Sequence, residues 1–147
     1  MRQLVCVGLL FGLFVTVIGC GGPGTNKLTG KVTLDGSPMP NGALQFYPPN
    51  ATVPAFSVNT KDDGTFEAII PGDANLPTGS YTVTAAKYEL KKGSKMTVGE
   101  GMDMAQLAMT GNATNVLPKK FSSPKDSPLK YEVKFPTATG DLAITSK

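Results

Sequence analysis

The sequence predicts an all-β sandwich, and three observations support this prediction. The chain of 147 residues contains 17 Gly and 12 Pro, so turns are frequent. Between the turns lie short segments rich in Val, Thr, Phe and Tyr, which favour strands. No segment before residue 88 shows the apolar spacing of an amphipathic helix. Short strands without intervening helices indicate two packed sheets rather than βαβ units.

The first half of the predicted domain contains three strands separated by turns. Residues 28–34 alternate partly and contain β-branched side chains, and Asp35-Gly36 ends them with a turn. Residues 42–47 lie between prolines, at which a central strand does not continue. Residues 55–60 again alternate apolar and polar side chains. We therefore expect the domain to begin near Leu28.

A hairpin and the clearest strand follow. Residues 61–64, with the sequence Lys-Asp-Asp-Gly, form a predicted tight turn in which Gly64 adopts a positive φ. Residues 65–70 complete this hairpin. Residues 80–86 show the clearest alternation, because three apolar side chains share one face of the strand: Tyr81, Val83 and Ala85.

Residues 88–116 differ from the rest of the domain. Residues 91–95 are polar, whereas residues 102–109 are rich in methionine and can form two turns of helix. A long connection of this kind is either functional or disordered. Low apolar content outside the methionines favours disorder or a marginal helix. Strand character returns in residues 129–135, which alternate, and in a last short strand at 141–145.

The start of the chain has the layout of a secretory signal. Arg2 precedes an uncharged, mostly apolar run that continues to Ile18. The run closes with Val17-Ile18-Gly19-Cys20, where a cysteine follows a small residue as in a bacterial lipobox. This stretch resembles a lipoprotein signal peptide. In such a peptide Val17, Ile18 and Gly19 are read by the signal peptidase, and Cys20 becomes the lipid-bearing first residue.

Two alternatives to lipidation stay open. An ordinary signal peptide with a chance cysteine would show the same run, and so would an uncleaved anchor. A membrane-spanning helix needs about 20 apolar residues, and this run is shorter. We therefore expect a signal peptide at 1–19 and a lipidated Cys20 with a flexible tether at 20–27. One domain follows at 28–147, with a long loop or insertion at 88–116.

Charge and cysteine content exclude several partners and bonds. The net charge is +3, and loss of Arg2 with the signal peptide leaves 13 Lys against 11 acidic residues. Basic and acidic side chains are intermixed, so the sequence predicts no nucleic-acid surface. Cys6 lies in the predicted signal peptide. Cys20 is then the single cysteine of the mature chain, which leaves no intramolecular disulfide. Without lipid it would be a free thiol.

The order of turn and strand motifs resembles that of a known domain family. The motifs are GKV at 30–32, DGSP at 35–38, GALQF at 42–46, TKDDGTF at 60–66 and PTGSYTV at 77–83. In this order and spacing they resemble a carboxypeptidase regulatory-like domain, also called transthyretin-like or prealbumin-like. The tail resembles that of small lipoproteins of planctomycete-like bacteria, through LPKKF at 117–121 and SPL at 127–129.

The resemblance implies a Greek-key sandwich of about seven strands that serves as an accessory or surface module and does not imply catalysis. The residues agree with this architecture. Gly30 would let a strand bulge or admit a neighbouring side chain. Four residues are expected in the core between the two sheets: Phe46, Phe66, Tyr81 and Val83.

The chain contains no histidine, which excludes several kinds of active site. Neither a Ser-His-Asp nor a Cys-His arrangement is available, and a His-ligated zinc site of the protease type is excluded. Hydrolases with a transthyretin fold use histidines, and none maps onto this chain. We therefore expect that the protein is not an enzyme. A small hydrolase that uses carboxylates alone, such as Asp63 or Glu67, is the remaining alternative.

Metal sites are weakly indicated. Asp62-Asp63 lies in a turn, where such side chains bond their own backbone, and the chain has no Asp-x-Asp-x-Asp-Gly calcium run. Asp35 and Asp73 would meet only if the fold brought their loops together. Thioethers are soft ligands for copper(I), but apolar packing is the simpler role for the methionines: Met96, Met102, Met104 and Met109. We predict no cofactor and no metal.

These observations predict a non-enzymatic, lipid-anchored module of the cell envelope with a structural or protein-interaction role. It contacts the membrane through its lipid, and an envelope protein or glycan is the candidate partner. The alternative is a carbohydrate- or metal-binding module with its site in the loops at one end of the sandwich. Four aromatic residues would then either line that surface or pack on strands: Tyr47, Phe56, Tyr88 and Phe121. Two Asn-x-Thr acceptor patterns, at Asn50 and Asn112, are read as chance in a bacterial protein.

Overall fold

The computed structural model describes residues 24–93 and 104–147, which form two packed β-sheets. In chain order the elements are β1 (Thr25–Leu34), β2 (Ser37–Pro38), β3 (Gly42–Tyr47), β4 (Phe56–Asn59), β5 (Thr65–Pro71), β6 (Gly79–Leu90), α1 (Met104–Met109), β7 (Ala113–Asn115), a 3₁₀ helix (Lys119–Ser122), β8 (Lys130–Val133), β9 (Thr137–Thr139) and β10 (Leu142–Ile144). The predicted all-β sandwich is confirmed.

The first sheet is built around β1. On one side β5 runs antiparallel to β1, from Thr25 opposite Pro71 to Lys31 opposite Thr65, and the short β2 continues that side. On the other side β9 and then β10 run parallel to β1. Because strands pair with both of its sides, β1 is the central strand of this sheet.

The second sheet is built around β6, the longest strand. β3 pairs antiparallel with β6, and β4 pairs antiparallel with β3 at the edge. Two short strands share the other side of β6. β8 pairs with residues 79–82, where β6 begins, and β7 pairs with residues 88–90, where it ends.

Alternate side chains of both sheets meet in one core, as expected for a sandwich. The centre of this core is aromatic. The Phe46 ring stacks on Phe56 with ring centroids 4.7 Å apart, and it lies 5.8 Å from Phe66 and 5.4 Å from Tyr131. The four residues predicted for the core are all at most 2% exposed, which confirms that prediction: Phe46, Phe66, Tyr81 and Val83.

Gly30 is the point of closest approach within the first sheet. It lies opposite Phe66 in the ladder between β1 and β5. A methyl group built at Gly30 would lie 1.9 Å from the carbonyl oxygen of Gly140 and 2.8 Å from the Phe66 ring. The missing side chain therefore makes room for a neighbouring ring, as the sequence predicted for this position.

A buried hydroxyl and a tight turn secure the chain between β3 and β5. The Thr60 hydroxyl accepts a 2.7 Å hydrogen bond from the Gly42 N–H and donates a 2.6 Å bond to the Met39 carbonyl. The next residues form the predicted turn, in which Gly64 has φ of 78° and donates its N–H to the Lys61 carbonyl at 2.9 Å. These bonds satisfy polar groups that would otherwise be costly to bury.

Tyr131 joins the two sheets through its hydroxyl. The ring packs against Phe46 and Phe66, and the hydroxyl donates a 2.8 Å hydrogen bond to the Thr29 carbonyl of β1. Burial raises the pKa of Tyr131 to about 12, and the negative charge of Asp141 acts in the same direction.

We expect Tyr131 to make the fold less stable at high pH. In the unfolded chain tyrosine loses its proton near pH 10, whereas the folded protein retains the Tyr131 proton up to about pH 12. The free energy of unfolding therefore falls as the pH rises between these values. Tyr131→Phe should flatten this fall, measured by urea unfolding from pH 9 to about pH 12.

In the Tyr131→Phe protein the free energy of unfolding should still fall somewhat with rising pH, because burial also raises the pKa of Tyr81. The Tyr88→Phe protein keeps both of these tyrosines and serves as the control for removal of a tyrosine hydroxyl at another position. An equally steep fall in the Tyr131→Phe protein would contradict the role assigned to Tyr131.

The structure corrects two predicted boundaries. The tether predicted at 20–27 is shorter at its C-terminal side, because residues 25–27 already belong to β1 and pair with residues 69–71 of β5. Asn26 and Lys27 have little strand preference of their own, and the partner strand orders them. The predicted insertion at 88–116 contains the end of β6, α1 and β7 within its described part. Residues 24–93 and 104–147 contain ten strands, whereas the resemblance implied about seven. The difference arises because strands of two or three residues are too short to be recognised from a sequence pattern.

The end of the sandwich at which β1 begins, here called the N-terminal end, also holds the start of β6. The N–H of Lys27 donates a 2.8 Å hydrogen bond to the Pro136 carbonyl. Pro136 closely follows Val133, which pairs with Gly79 at the start of β6. Central strands of both sheets therefore start at the end where residue 24 enters the domain.

The opposite end, here called the distal end, holds the end of β6 and the start of β3. The path along β6 from Gly79 to Tyr88 is about 30 Å at about 3.3 Å per residue. The turn at residues 61–64 also lies there, because Gly64 accepts a 2.8 Å hydrogen bond from the Val32 N–H near the end of β1. Any feature beside Tyr88 is thus a domain length away from residue 24.

Candidate binding cleft

A cleft of about 600 Å³ lies at the distal end, between the start of β3, the end of β6 and α1. Sites for small ligands commonly have volumes of 300–1,000 Å³. The polar and aromatic side chains of its lining come from three strands or turns: Asn41, Asn59, Lys87, Tyr88 and Glu89. A smaller cavity of about 210 Å³ shares Ala43, Tyr88 and Ala105 with it.

The cleft exists because β6 is longer than its neighbour β3. The last pair between them is Gly42 opposite Lys87, and β6 then continues to Leu90. Before Gly42, the chain turns away at Asn41, which has a positive φ of 53°. The end of β6 is therefore left without a partner strand, among the described residues, on the side where β3 has stopped.

The backbone of Tyr88 faces this open side. The Lys87 N–H donates to the Asn115 side-chain oxygen at 3.0 Å, and the Lys87 carbonyl accepts from the Val116 N–H at 2.8 Å. Both groups of Lys87 thus point toward β7. Because successive residues of a strand point their N–H and C=O groups to opposite sides, those of Tyr88 point into the cleft.

The wall opposite β3 is formed by α1. A helix of six residues is too short to be stable alone, so packing and hydrogen bonds must hold it. The side chain of Leu107, a residue of α1, is fully buried. The Leu107 carbonyl accepts hydrogen bonds from the Asn112 N–H at 2.8 Å and from the Thr110 hydroxyl at 3.0 Å. This arrangement places Met104 and Ala105 along the cleft.

The charges in the cleft compensate each other. The Lys87 ammonium lies 3.4 Å from the Glu89 carboxylate, and the Lys87 side chain is only 21% exposed. The amides of Asn41 and Asn59 are exposed and make no side-chain hydrogen bond to any residue of 24–93 or 104–147. Lys87 and Glu89 alternate with Tyr88 along β6, so their side chains point to the other face of the strand. On the Tyr88 face the cleft combines free amide donors and acceptors with one half-buried aromatic ring.

The smaller cavity is lined by polar groups that already have partners. The side-chain oxygen of Gln45 accepts a 2.9 Å bond from the Tyr47 hydroxyl and a 3.5 Å bond from the Thr84 hydroxyl. The Ser122 hydroxyl accepts a 3.1 Å bond from the Asn115 amide. These contacts fix the side chains that line the smaller cavity. The polar side chains without such partners, Asn41 and Asn59, line the larger cleft.

The carboxylates that the sequence singled out are not brought together. Asp63 accepts bonds from the N–H and the hydroxyl of Thr65 at 2.9 and 2.6 Å, and these bonds lower its pKa. Asp35 likewise has a lowered pKa, because it accepts a 2.9 Å bond from the Ser146 N–H. Asp35 follows the end of β1, whereas Asp73 follows the end of β5 at the N-terminal end. Within the described ranges, no three Asp, Glu or Cys side chains group to hold a metal.

The methionines and aromatic residues separate into different environments. Met104 lines the cleft, Met109 is 89% exposed, and Met96 and Met102 lie outside the described residues. Tyr47 and Phe121 are buried, and Phe56 stacks in the core, so only Tyr88 of the four aromatic candidates lines the larger cleft.

Sequence patterns missed four polar residues of the cleft: Asn41, Asn59, Lys87 and Glu89. Asn41 precedes β3 and Asn59 ends β4, whereas Lys87 and Glu89 belong to the part of β6 that continues past the predicted strand at 80–86. A longer strand prediction through the polar residues after Ala86 would have found Lys87 and Glu89. Nothing in the sequence indicated that Asn59 would lie near them, because that proximity depends on the pairing of β4 with β3.

The predicted lipobox, Val17-Ile18-Gly19-Cys20, lies outside the described residues. The same is true of the predicted signal peptide as a whole. In the part of the chain that the structure describes, no helix is long and apolar enough to cross a membrane. Lipid attachment at Cys20 therefore stays a prediction.

Comparison with known proteins gives distant structural matches and no sequence match. No family description and no curated protein matches this chain. A solved structure of a DUF3823 family protein from Parabacteroides merdae resembles it with 17% sequence identity and a TM-score of 0.34. The superposition covers 82% of this chain and 45% of that one, so the chain spans less than half of its length. A match of this quality transfers no ligand or partner.

Proposed function

We propose that this protein is a non-enzymatic, lipid-anchored β-sandwich module of the bacterial cell envelope that displays its distal cleft away from the membrane. The observation that carries this proposal is the separation of the two ends. The chain enters the domain at residue 24, whereas the cleft lies beside Tyr88, about 30 Å along β6. We also assign the domain to the carboxypeptidase regulatory-like type, on the motifs between residues 30 and 83.

The short tether supports a defined orientation. The chain from Cys20 to Gly24 spans at most about 15 Å when fully extended. A lipid on Cys20 would hold the N-terminal end of the domain close to the bilayer. The turn after β5 lies at this end too, because a methyl group at Gly72 would lie 2.2 Å from the Gly24 carbonyl. The cleft would then point toward the surrounding compartment.

Two features support a role without catalysis. The chain contains no histidine, and the most clearly bonded carboxylate, Asp63, serves its own turn through Thr65. A general base or nucleophile needs a neighbouring group that shifts or shares its proton. The cleft offers only the Lys87–Glu89 pair, in which each charge stabilises the other.

Lipidation is tested by replacing the cysteine that would carry it. We expect mass spectrometry of the full-length protein, expressed in a bacterial host and recovered from membranes, to show a mature N-terminus at Cys20 with acyl chains. Cys20→Ser should abolish the acyl mass and shift the protein out of the membrane fraction. Cys6→Ser, which alters a cysteine of the discarded peptide, is the matched control and should leave the mature mass unchanged.

Two results would refute the anchor. One is an unmodified protein that begins at another residue, as after cleavage by an ordinary signal peptidase. The other is a Cys20→Ser protein that keeps its membrane association and its processing. Either result would leave the sandwich and its cleft intact but remove the reason for their orientation.

A further inference from the structure

From the lining of the distal cleft we infer that it binds a short, uncharged saccharide. This inference deepens the proposed function by naming the ligand class of the cleft, and it requires no lipid on Cys20. It is independent of the weak structural match. The reasons are the charge balance, the kind of hydrogen-bonding groups and the shape of the open strand side.

The charge balance favours an uncharged ligand. The side chains of Lys87 and Glu89 point away from the Tyr88 face of β6 and pair with each other at 3.4 Å, so the cleft presents no unbalanced charge to a ligand. The Glu89 side chain is 57% exposed, so the pair itself contributes little energy. A metal ion would find one carboxylate in the cleft, fewer than the six oxygen ligands that calcium takes.

The free polar groups match hydroxyl-rich molecules. Each sugar hydroxyl both donates and accepts a hydrogen bond. The amides of Asn41 and Asn59 each offer an oxygen acceptor and an N–H₂ donor. The backbone of Tyr88 adds one N–H and one C=O that point into the cleft. The cleft therefore presents both donors and acceptors, whereas an apolar ligand would leave all of them without partners.

The apolar part of the lining has the form that a sugar ring needs. The half-buried Tyr88 ring and the Met104 side chain both line the cleft. An aromatic ring presents a flat face with partial negative charge, against which the C–H groups of a sugar pack. Ala43 and Ala105 are small, which keeps the cleft open beside this ring.

An extended peptide is disfavoured by the short length of the open strand side. Strand addition uses a row of backbone groups along a sheet edge. Here Pro40 and Asn41 line the cleft before the start of β3, and Pro40 has no N–H to contribute. Tyr88 alone offers its backbone within the cleft lining, which is one residue of a strand. A compact ligand uses these groups better than a strand does.

The test is isothermal titration calorimetry on the full-length protein in detergent micelles. The probes are cellotetraose, maltotetraose and chitotetraose, with oligogalacturonate as the anionic probe and an unstructured octapeptide as the peptide probe. We expect micromolar binding of at least one neutral tetrasaccharide. Asn59→Ala and Tyr88→Ala should each weaken it at least about tenfold, a loss of about 1.4 kcal/mol.

Matched variants separate binding from folding. Ser57→Ala changes an exposed residue of the same strand as Asn59 and should bind like the unsubstituted protein. Tyr88→Phe keeps the aromatic face and should retain most of the affinity, whereas Tyr88→Ala loses it. Circular dichroism of every variant should show the same β spectrum, and Asn59→Ala alters only an exposed side chain.

Three outcomes would overturn the inference: no binding of any neutral probe, binding that both alanine variants leave unchanged, or preferred binding of the peptide or the anion. None of these outcomes bears on lipidation, which is measured by mass. Conversely, binding of a neutral tetrasaccharide through Asn59 and Tyr88 by an unlipidated protein would support the proposed ligand and refute the proposed lipid anchor.

Discussion

Replacing Gly30 with alanine is expected to destabilise the domain by about 3 kcal/mol or more, the upper range for overpacking. The added methyl group would lie 1.9 Å from the Gly140 carbonyl oxygen and 2.8 Å from the Phe66 ring. The oxygen belongs to the backbone beside β1, where Gly140 donates its N–H to the Thr29 carbonyl. Relief of the clash therefore requires a shift of backbone in the centre of the first sheet.

Urea unfolding measures this effect, and a second glycine provides the control. Gly24→Ala adds the same methyl group where no other atom lies within 4 Å. It should change the free energy of unfolding by less than about 0.5 kcal/mol, as is usual at a surface position. If Gly30→Ala were as stable as Gly24→Ala, the packing of Phe66 against β1 described here would be wrong.

Replacing Phe46 with alanine is expected to cost about 3–5 kcal/mol, the range for truncation of a buried aromatic residue. Phe46 is fully buried and contacts three other rings, with centroid distances of 4.7 Å to Phe56, 5.8 Å to Phe66 and 5.4 Å to Tyr131. These rings come from both sheets, so they cannot close the cavity without moving the sheets. Net stabilities of domains are about 5–15 kcal/mol, and the variant should be close to unfolding.

The matched comparison is Val53→Ala, at a residue that is 71% exposed. It should change the free energy of unfolding by no more than about 0.5 kcal/mol. Phe46→Leu should fall between the two, because it retains most of the apolar volume. The midpoint of thermal unfolding, followed by circular dichroism, ranks all three. Equal midpoints for Phe46→Ala and Val53→Ala would contradict the aromatic centre of the core.

The same two residues separate stability from binding. Gly30 and Phe46 lie in the sheets, and neither lines the distal cleft. Changes at these positions act on the population of folded protein. Asn59 and Tyr88 line the cleft, and changes there should act on affinity in a protein that stays folded. The two groups of variants therefore test the fold and the ligand independently.

Several features followed from local patterns. The alternation in residues 80–86 predicted a core strand because side chains of a strand point alternately to its two faces. The turn at 61–64 was predicted because Gly64 tolerates a positive φ. Gly30 stood out because glycine weakens a strand interior and is usually found there where a neighbouring group approaches closely. The first two inferences depend on interactions within a few residues, whereas the neighbours of Gly30, Phe66 and Gly140, are set by the fold.

Other features depended on partners that are distant in the sequence. Residues 25–27 extend β1 because β5 pairs with them, and the cleft forms because β6 is longer than β3. The proximity of Asn59 to Lys87 combines two strand pairings, of β4 with β3 and of β3 with β6. The pairings of β1 with β9 and β10 join residues more than a hundred positions apart. No local pattern encodes which strands become neighbours or where one strand extends beyond its neighbour.

Local residue patterns were enough to predict the longer strands, the turn at 61–64 and the core side chains, since alternation and backbone preference act over a few residues. Composition excluded histidine chemistry, and one motif supplied the cysteine that we propose carries the lipid. The folded sandwich was needed to show that the entry of the chain and the cleft lie at opposite ends. It alone brought Asn59, Tyr88 and the Lys87–Glu89 pair together, because strand register sets such distances.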